Sequence, residues 1–476
     1  MWSKFFSAIA AVTMLIGTPG VGVSQTRAAS PNVIIFIADD MAWDDCGAYG
    51  HPHIHTPNID RLAAEGLRFD RAYLTCSSCS PSRCSTLTGR YPHSTGAGEL
   101  HLPLPESQTL FTTPLRKAGY YTASVGKWHL GKAAESQVDL VKQGGGPGGE
   151  EHWVSVLQDR PKDKPFFLWL AATDPHRGYQ PGAVDPPHTN ADVVVPPIFP
   201  DTPDVRGDLA LYYDEIARFD EYIGLVREEL EAQGVLDNTL IMVISDNGRP
   251  FPRCKTTVYE DGVKTPLVVR FPPLISDGGN VSNAIVSTVD IANTVLDVAG
   301  LSPLPSSQGR SFAAVLKDPR QGHRDGAYSE HNWHDYRAFE RSVVTDRFRY
   351  VHNWTDALPR TPPADAVRSP TYDEMKRLYA AGELAKHQAT IFLAYQPSEE
   401  LYDVTVDPHC LHNLAENEAY AEVIQQHRTL LKDWQQETDD TFPGVDNLTP
   451  DGFDRDTGDR LPGVAAPHPS LGKKGN

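Results

Sequence analysis

Three of the six cysteines, Cys76, Cys79 and Cys84, fall within nine consecutive positions, and this crowding is the first indication of chemistry in the chain. Six scattered cysteines are too few for a fold built on disulfides. The spacing of Cys76 and Cys79 is typical of redox or zinc sites, but no second CxxC or HxxxH pattern completes a set of zinc ligands. Taken alone, the crowding also fits a buried structural cysteine near the start of a helix.

Two short acidic segments could hold a metal ion. Asp39 and Asp40 directly follow one apolar run, and Asp246 and Asn247 follow another, so each pair comes at the end of a predicted buried strand. Such pairs are often helix caps or solvated turns when they stand alone. If both pairs meet at one edge of a sheet, they supply four hard oxygen ligands, a set that suits calcium, with magnesium as the alternative.

The charge of the chain limits its partners. The formal net charge is −19 over 476 residues. Nucleic acid binding needs a basic surface that this composition lacks, so no nucleic-acid partner is expected. An anionic substrate would have to be held by a local cluster of cations.

The elements that must position these residues alternate along the chain. Apolar runs predict buried strands over residues 33–38, 166–172, 240–244 and 266–271. Helical spacing predicts helices over residues 58–65, 208–233 and 290–298. This alternation predicts an α/β fold with a large, mixed, mostly parallel sheet between helices, and ligands in such sheets lie beyond the carboxyl ends of the strands. Residues 144–149 (GGGPGG) are expected to form a surface loop rather than a phosphate cradle, because no GK[ST] follows them.

The two ends of the chain differ from its middle. Residues 1–29, with Lys4, an apolar stretch and small residues near the end, are typical of a secretory signal peptide, and no later apolar run predicts a membrane span. We expect a catalytic domain over 30–340, a smaller C-terminal α+β domain with an antiparallel sheet over 341–465, and a disordered tail over 466–476. The protein is therefore expected to be exported, to the periplasm, the medium or, in a eukaryote, the lysosome.

Residues 79–83 (CSPSR), continued by 87–92 (LTGRYP), resemble the signature of the sulfatase family. In that family a formylglycine-generating enzyme oxidises the cysteine to formylglycine, an aldehyde whose hydrate is the nucleophile. One hydroxyl attacks sulfur and the other later expels sulfate by collapse to the aldehyde, whereas a serine would leave a stable sulfate ester. The resemblance implies an alkaline-phosphatase-like fold, hydrolysis of a sulfuric ester or sulfamate, and a maturing enzyme as partner.

The same resemblance implies roles for further residues. Arg83 would fix the nucleophile, and Lys127 and His129, within 126–131 (GKWHLG), would lie at the formylglycine and the sulfate. His176 corresponds to the histidine that binds sulfate and protonates the leaving group, and Lys255 to a cation that contacts sulfate. The implied ligands of the calcium ion are Asp39, Asp40, Asp246, Asn247 and the modified Cys79.

Several blocks look closest to the heparan N-sulfatase branch of the family, among them 174–177 (DPHR), 246–252 (DNGRPFP) and 368–371 (RSPT). The chain departs from that branch at Lys255, where the branch carries an arginine. The second active-site histidine of many arylsulfatases has no convincing counterpart, since His152 is a poor candidate. The segment 331–336 (HNWHDY) keeps a histidine at the expected rim, so His331 is expected to bind the sugar. The expected substrate is a sulfated saccharide, with N-sulfoglucosamine as one candidate.

Three functions compete at this point. The leading one is a sulfatase acting on N- or O-linked sulfate of a glycan, algal glycans included. The second is a phosphonate monoester hydrolase or phosphodiesterase, although a two-metal phosphatase site would need further Asp or His ligands. The third is an inactive glycan-binding protein, which predicts a missing nucleophile or metal ligand, whereas every such position is filled.

Overall fold

A computed structural model describes Met1 and residues 30–462 of the chain. The expected signal peptide and the expected tail lie outside the described residues. Within the described part, no helix combines the length and the apolar character needed to cross a bilayer.

The central sheet carries the residues that follow the predicted buried strands. Its strands are β1 (Asn32–Ala38), β2 (Leu67–Phe69), β4 (Tyr121–Gly126), β5 (Leu140–Lys142), β6 (Phe166–Ala171), β7 (Thr239–Ser245), β8 (Val268–Arg270) and β9 (Asn280–Ser282), while β3 (Ala72–Tyr73) and β10 (Val286–Ser287) form a separate parallel pair. The strand order among the described residues is β5-β4-β6-β1-β7-β8-β2-β9. β1 runs parallel to β6 and β7, and β8 runs antiparallel to β7 and β2. The predicted mixed, mostly parallel sheet is confirmed.

Helices cover both faces of this sheet. The helices are α1 (Pro57–Glu65), α2 (Cys79–Thr88), α3 (Pro92–Thr95), α4 (Thr112–Lys117), α5 (Trp153–Asp159), α6 (Pro203–Ala232), α7 (Glu260–Val263), α8 (Ile291–Val298), α9 (Ala313–Lys317), α10 (Ala364–Val367), α11 (Pro370–Ala381) and α12 (Ala421–Thr438). Alternate side chains of β1 enter two different clusters, Ile34 with α1, α5 and α6, and Ile35 with α4, α8 and α9. This two-sided burial explains why the β1 sequence is a continuous apolar run.

A second, antiparallel sheet lies toward the C-terminus. Its strands are β11 (Ala327–His331), β12 (Glu340–Val344), β13 (Phe348–Asn353) and β14 (Glu399–Asp403), in that order. α12 packs on this sheet through Leu431 and Trp434. The sheet therefore begins at Ala327, ahead of the domain start expected at residue 341. α11 instead packs with α6 against the central sheet, through Tyr372 and Met375.

The carboxyl ends of four neighbouring parallel strands meet at one edge of the central sheet. Ala38 of β1 pairs with Ser245 of β7, and Gly126 of β4 pairs with Ala171 of β6. The chain leaves β4 through Gly126 at φ 100°, where a Cβ would lie 1.8 Å from the Ala171 carbonyl oxygen. A glycine is thus required immediately before Lys127, and the segments that follow all four strands open onto the same edge.

Candidate active site

Cys79 begins α2 at this edge, next to the residues that follow β1 and β7. Its Sγ lies 3.5 Å from Asp39 Oδ1, 3.9 Å from Asp40 Oδ1 and 3.1 Å from Asn247 Nδ2. Burial raises the pKa of the Cys79 thiol, so the unmodified sulfur is protonated at neutral pH. Residues that are far apart in the chain therefore surround the one cysteine singled out by the sequence motif.

Three basic side chains pair with three buried carboxylates at the site. Arg83 Nη2 lies 2.6 Å from Asp246 Oδ2, and Arg83 follows Cys79 by one turn of α2, so both face the sheet edge. Lys127 Nζ lies 2.5 Å from Asp39 Oδ2. Although burial opposes ionisation, Lys127 and the neighbouring cations hold the pKa of Asp39 well below its usual value. The carboxylate of Asp39 is therefore ionised inside the protein.

Lys255 forms the third pair, with its Nζ 2.6 Å from Asp40 Oδ2. Burial alone would lower the pKa of Lys255, but Asp40 raises it well above the usual value, so this ammonium group stays charged. Burial raises the pKa of Asp246 to about 7, against the effect of Arg83. The acidic cluster is thus costly to ionise completely without further positive charge.

The acidic cluster fits a hard cation. Single ligand atoms from Asp39, Asp40, Asp246 and Cys79 all lie within 4.8 Å of one another. Asn247 Nδ2 donates to Asp40 Oδ1 and to Asp246 Oδ1, both at 2.8 Å, so these acceptors converge on one point. Asn247 Oδ1 is buried and has no hydrogen-bond partner among the described residues. A 180° rotation of the Asn247 amide would bring this oxygen to the position that Nδ2 now holds, beside the carboxylate oxygens. Converging carboxylate oxygens with an amide oxygen are the donor set that calcium prefers.

His129 is held in place by a second imidazole. Nε2 of His129 lies 2.7 Å from Nδ1 of His101, and the backbone N–H of His101 donates to Ser80 Oγ at 2.8 Å. Burial, reinforced by the charge of Lys127, holds the pKa of His129 well below its usual value. The ring is therefore neutral, and its Nδ1 is buried with no hydrogen-bond partner in the described part of the chain.

His176 faces the cluster from the loop after β6. Its Nδ1 lies 3.1 Å from the carbonyl oxygen of Arg177, which leaves Nε2 toward the site. Nε2 lies 3.8 Å from Asp40 Oδ2 and 3.7 Å from Asp365 Oδ2. The His176 side chain retains 34% of its exposure, so this ring combines contact with the buried cluster and access to the opening above it.

A cavity of about 630 Å³ opens over Cys79. Five of the predicted site residues line it, namely Cys79, Lys127, His129, His176 and Lys255. Six further side chains that were not predicted at the site also line it, namely His101, His334, Asp335, Asp365, Arg368 and Phe453. The residues that were not predicted come from irregular segments and from α10. Two sequence blocks did mark part of this set: 331–336 (HNWHDY) includes His334 and Asp335, and 368–371 (RSPT) includes Arg368.

One expectation about the rim needs correction. The glycine-rich segment 144–149 forms a loop, as expected, and Gly144, Gly146 and Gly149 of this loop line the cavity. His331 does not line it: at the end of β11 it lies in a second, much narrower cavity with Thr256 and Arg360. The other histidine of the same segment, His334, lies in the loop after β11 and reaches the site, since its Nδ1 is 2.9 Å from Ser78 Oγ.

The chain matches two protein-family models and is similar to known sulfatases. The family model described as "Sulfatase" matches residues 31–146 and 151–301, and a model described as "N-sulphoglucosamine sulphohydrolase, C-terminal" matches residues 253–391. The chain is 33% identical over 468 residues to human N-sulphoglucosamine sulphohydrolase, covering 87% of this chain and 92% of that protein. It is 30% identical over 461 residues to an ulvan-active sulfatase of Formosa agariphila, covering 85% and 74%.

Solved structures share the fold. A protein crystallised with its substrate D-glucosamine-2-N,6-O-disulfate superposes with a TM-score of 0.66 at 22% identity, covering 87% of this chain and 99% of that one. At that identity the likeness concerns the fold alone, which agrees with the expected alkaline-phosphatase-like architecture.

Proposed function

This chain belongs to the sulfatase family, whose members hydrolyse sulfate esters or sulfamates, and we propose that it removes sulfate from a saccharide with a formylglycine made from Cys79 and a calcium ion. The observation that carries this proposal is the convergence on Cys79 Sγ of Asp39, Asp40 and Asn247, each from the end of a central strand. A structural cysteine needs only an apolar environment, so a purely structural role would not explain these polar groups around Cys79.

The metal ligands in this proposal are Asp39, Asp40, Asp246, Asn247 and the modified Cys79. When bound, calcium would polarise the oxygens around it and lower the charge barrier to attack on sulfur. Three carboxylates and three basic side chains already pair at the site, so a divalent cation would leave it with net positive charge. That balance supports an anionic substrate in a chain whose total charge is −19.

The orphaned nitrogen of His129 supports conversion of Cys79. A hydrated aldehyde carries two oxygens and supplies a nucleophilic hydroxyl, where cysteine offers one poorly hydrogen-bonding sulfur. His129 lines the same cavity as Cys79, and its buried Nδ1, which has no partner among the described residues, would be available to bond to a second oxygen on the modified side chain. Arg83 would hold the modified side chain from the next turn of α2, because its guanidinium is fixed between Asp246 and the Lys127 carbonyl oxygen.

The remaining residues bind sulfate and deliver a proton. Lys127 and Lys255 would contact sulfate oxygens from opposite sides, since each already reaches a different carboxylate of the cluster. Nδ1–H of His176 donates to the Arg177 carbonyl oxygen, so Nε2 is the nitrogen that would carry the second proton of the imidazolium form and donate it to the leaving group. His334 takes the place at the sugar-facing wall that had been assigned to His331.

The substrate is proposed to be a sulfated glycan, with N-sulfoglucosamine as first candidate. The C-terminal family model spans 253–391 and therefore includes Asp365 and Arg368 of the cavity wall. An O-sulfated polysaccharide is the alternative, since a similar protein acts on ulvan. Residues 1–29 further support export before the protein acts.

The test measures both the conversion of Cys79 and the release of sulfate. Protein produced with a formylglycine-generating enzyme is analysed by mass spectrometry of the peptide that contains Cys79, and sulfate release is measured on heparin disaccharides, chondroitin units and sulfated algal oligosaccharides. Conversion of Cys79 with release from one class is expected, and Cys79→Ala serves as the inactive control. A fully unmodified thiol in active enzyme would defeat the aldehyde mechanism. Absence of release from every class by converted, calcium-loaded protein would defeat the sulfatase proposal. N-terminal sequencing of the exported protein should begin near Ser30.

A further inference from the structure

We infer that Asp365 is a specificity-determining residue that accepts a hydrogen bond from the nitrogen of a sulfamate leaving group, and so selects N-linked over O-linked sulfate. This inference rests on the proposed sulfatase function. It concerns a residue outside the sequence motifs, which reaches the cavity from α10 in the C-terminal half of the chain.

Asp365 lies between His176, which protonates the leaving group in the proposed reaction, and Lys255, which binds sulfate. Its Oδ2 is 3.7 Å from His176 Nε2 and 3.9 Å from Lys255 Nζ. His176 faces the leaving-group atom and Lys255 faces the sulfate oxygens in the proposed reaction. A carboxylate oxygen at this distance from both therefore lies beside the bond that breaks.

The carboxylate is charged and has an open acceptor. Burial opposes ionisation, but Lys255, followed by His176, lowers the pKa of Asp365. Oδ1 accepts the backbone N–H of Ala366 at 2.8 Å. Oδ2 has the His176 ring and the Lys255 ammonium within 4 Å but no donor within hydrogen-bond distance in the described part of the chain. An ionised acceptor that faces a cavity with one oxygen unused is suited to a donor on the substrate.

The fold holds this carboxylate rigidly. The backbone N–H of Ala364 donates to Asp335 Oδ2 at 2.8 Å, which anchors the first residue of α10. Ala364, Ala366 and Val367 are buried, whereas the side chain of Asp365 keeps 22% of its exposure, on the cavity side. The backbone of Asp365 is therefore fixed at the cavity wall, and the Ala366 N–H holds one oxygen of its carboxylate.

The chemistry of the two leaving groups differs at this position. In a sulfamate the nitrogen carries a hydrogen before and after the sulfur–nitrogen bond breaks. Sulfur passes from nitrogen to a hydroxyl oxygen of the nucleophile, which loses its proton to solvent, and the electron pair of the broken bond stays on nitrogen. The proton of His176 completes a neutral amine, which takes a further proton from solvent to become ammonium. In a sulfate ester the bridging oxygen carries no hydrogen and gains negative charge as the bond breaks. An anionic acceptor therefore stabilises the first leaving group and repels the second.

The test compares Asp365→Asn with the parent enzyme on N-sulfoglucosamine and p-nitrophenyl sulfate, a phenol ester with no donor at the leaving atom. A hydrogen bond to a charged group predicts a loss of about 10- to 100-fold in kcat/KM on N-sulfoglucosamine. Turnover of p-nitrophenyl sulfate should stay the same or rise. Asp373→Asn is the matched control, because Asp373 is exposed on α11 and forms an ion pair with Lys376 alone among the described residues. Asp365→Glu, which keeps the charge one methylene farther out, should lose less than Asp365→Asn on N-sulfoglucosamine.

Other outcomes would contradict either the inference about Asp365 or the proposed function. Equal losses on both substrates, or no loss on either, would overturn the inference, as would a parent enzyme that cleaves only O-linked sulfate. Thermal unfolding and binding of inorganic sulfate identify a variant that fails to fold, and Asp365→Glu then decides the question. If the parent, with Cys79 converted and calcium bound, releases sulfate from neither substrate and from no glycan tested above, the proposed function fails instead.

Discussion

Nδ1 of His101 lies 2.7 Å from Nε2 of His129, and the two rings share a hydrogen at the wall of the cavity. Only one of the two nitrogens carries this hydrogen, so the tautomers of the two rings are linked. His101 adopts a positive φ of 67°, and its backbone N–H is held by Ser80 of α2. The pair thus links the orientation of His129 to the helix that begins at Cys79.

Replacement of His101 should therefore reduce catalysis without unfolding the protein. His101→Ala removes the partner of His129, and the loss of one neutral hydrogen bond predicts a reduction in kcat of about 3- to 10-fold. His101→Asn, which keeps a side-chain donor and tolerates a positive φ, should recover part of the activity. The measurement is p-nitrophenyl sulfate turnover beside the thermal midpoint. An unchanged kcat in His101→Ala would show that His129 is oriented by other contacts.

Serine at position 79 should trap the first half of the reaction. A single hydroxyl can accept the sulfate group but has no second hydroxyl with which to expel it. Cys79→Ser is therefore expected to release one equivalent of p-nitrophenol and then stop, with intact-mass analysis showing one added SO₃. Cys79→Ala should give neither the burst nor the adduct. Continued turnover by Cys79→Ser would contradict the two-hydroxyl mechanism.

Calcium should stabilise the fold as well as support turnover. A ligand that binds only the folded protein at about 100 times its Kd adds about 2.7 kcal/mol to the free energy of unfolding. Removal of calcium with EGTA should lower the thermal midpoint and abolish sulfate release, and added calcium should restore both. Magnesium, which demands stricter octahedral geometry, should restore less. In Asn247→Ala the response to calcium should weaken, and an undiminished response would remove Asn247 from the ligand set.

The buried carboxyl group of Glu150 should make the free energy of unfolding depend on pH. It is buried beside Asp174, which Arg218 already holds through two hydrogen bonds. Burial, followed by the charge of Asp174, raises the pKa of Glu150 to about 9. Because the folded pKa is raised, the contribution to stability is complete below the unfolded pKa of about 4.5 and declines as the pH rises toward 9.

Glu150→Gln should therefore gain stability relative to the parent across that range. The amide keeps the shape and a donor toward Asp174 but does not ionise. The difference in urea midpoint between variant and parent should grow from pH 5 to pH 9 and then level off. A difference that stays constant with pH would show that Glu150 titrates normally in the folded protein.

Local patterns accounted for the sheet because burial on both faces leaves a continuous apolar run, which can be recognised without knowing the neighbours of the strand. The runs at 33–38, 166–172 and 240–244 became β1, β6 and β7, which lie side by side in the centre of the sheet. The run at 266–271 became the shorter, antiparallel β8, whose direction depends on its partners. Strand direction is a property of the assembled sheet and leaves no periodicity of its own.

By itself the sequence determined the family motif at Cys79, the acidic pairs that follow β1 and β7, and the α/β class, because each depends on residues close together in the chain. Only the tertiary structure decided which distant side chains complete the cavity. His101 and Asp365 lie in segments without a distinctive pattern, and His334 rather than His331 faces Cys79 because of where β11 ends. Those contacts form where the carboxyl edge of the central sheet packs against α10 and the loop after β11. These segments are far apart in the chain, so no local sequence pattern predicts their contact.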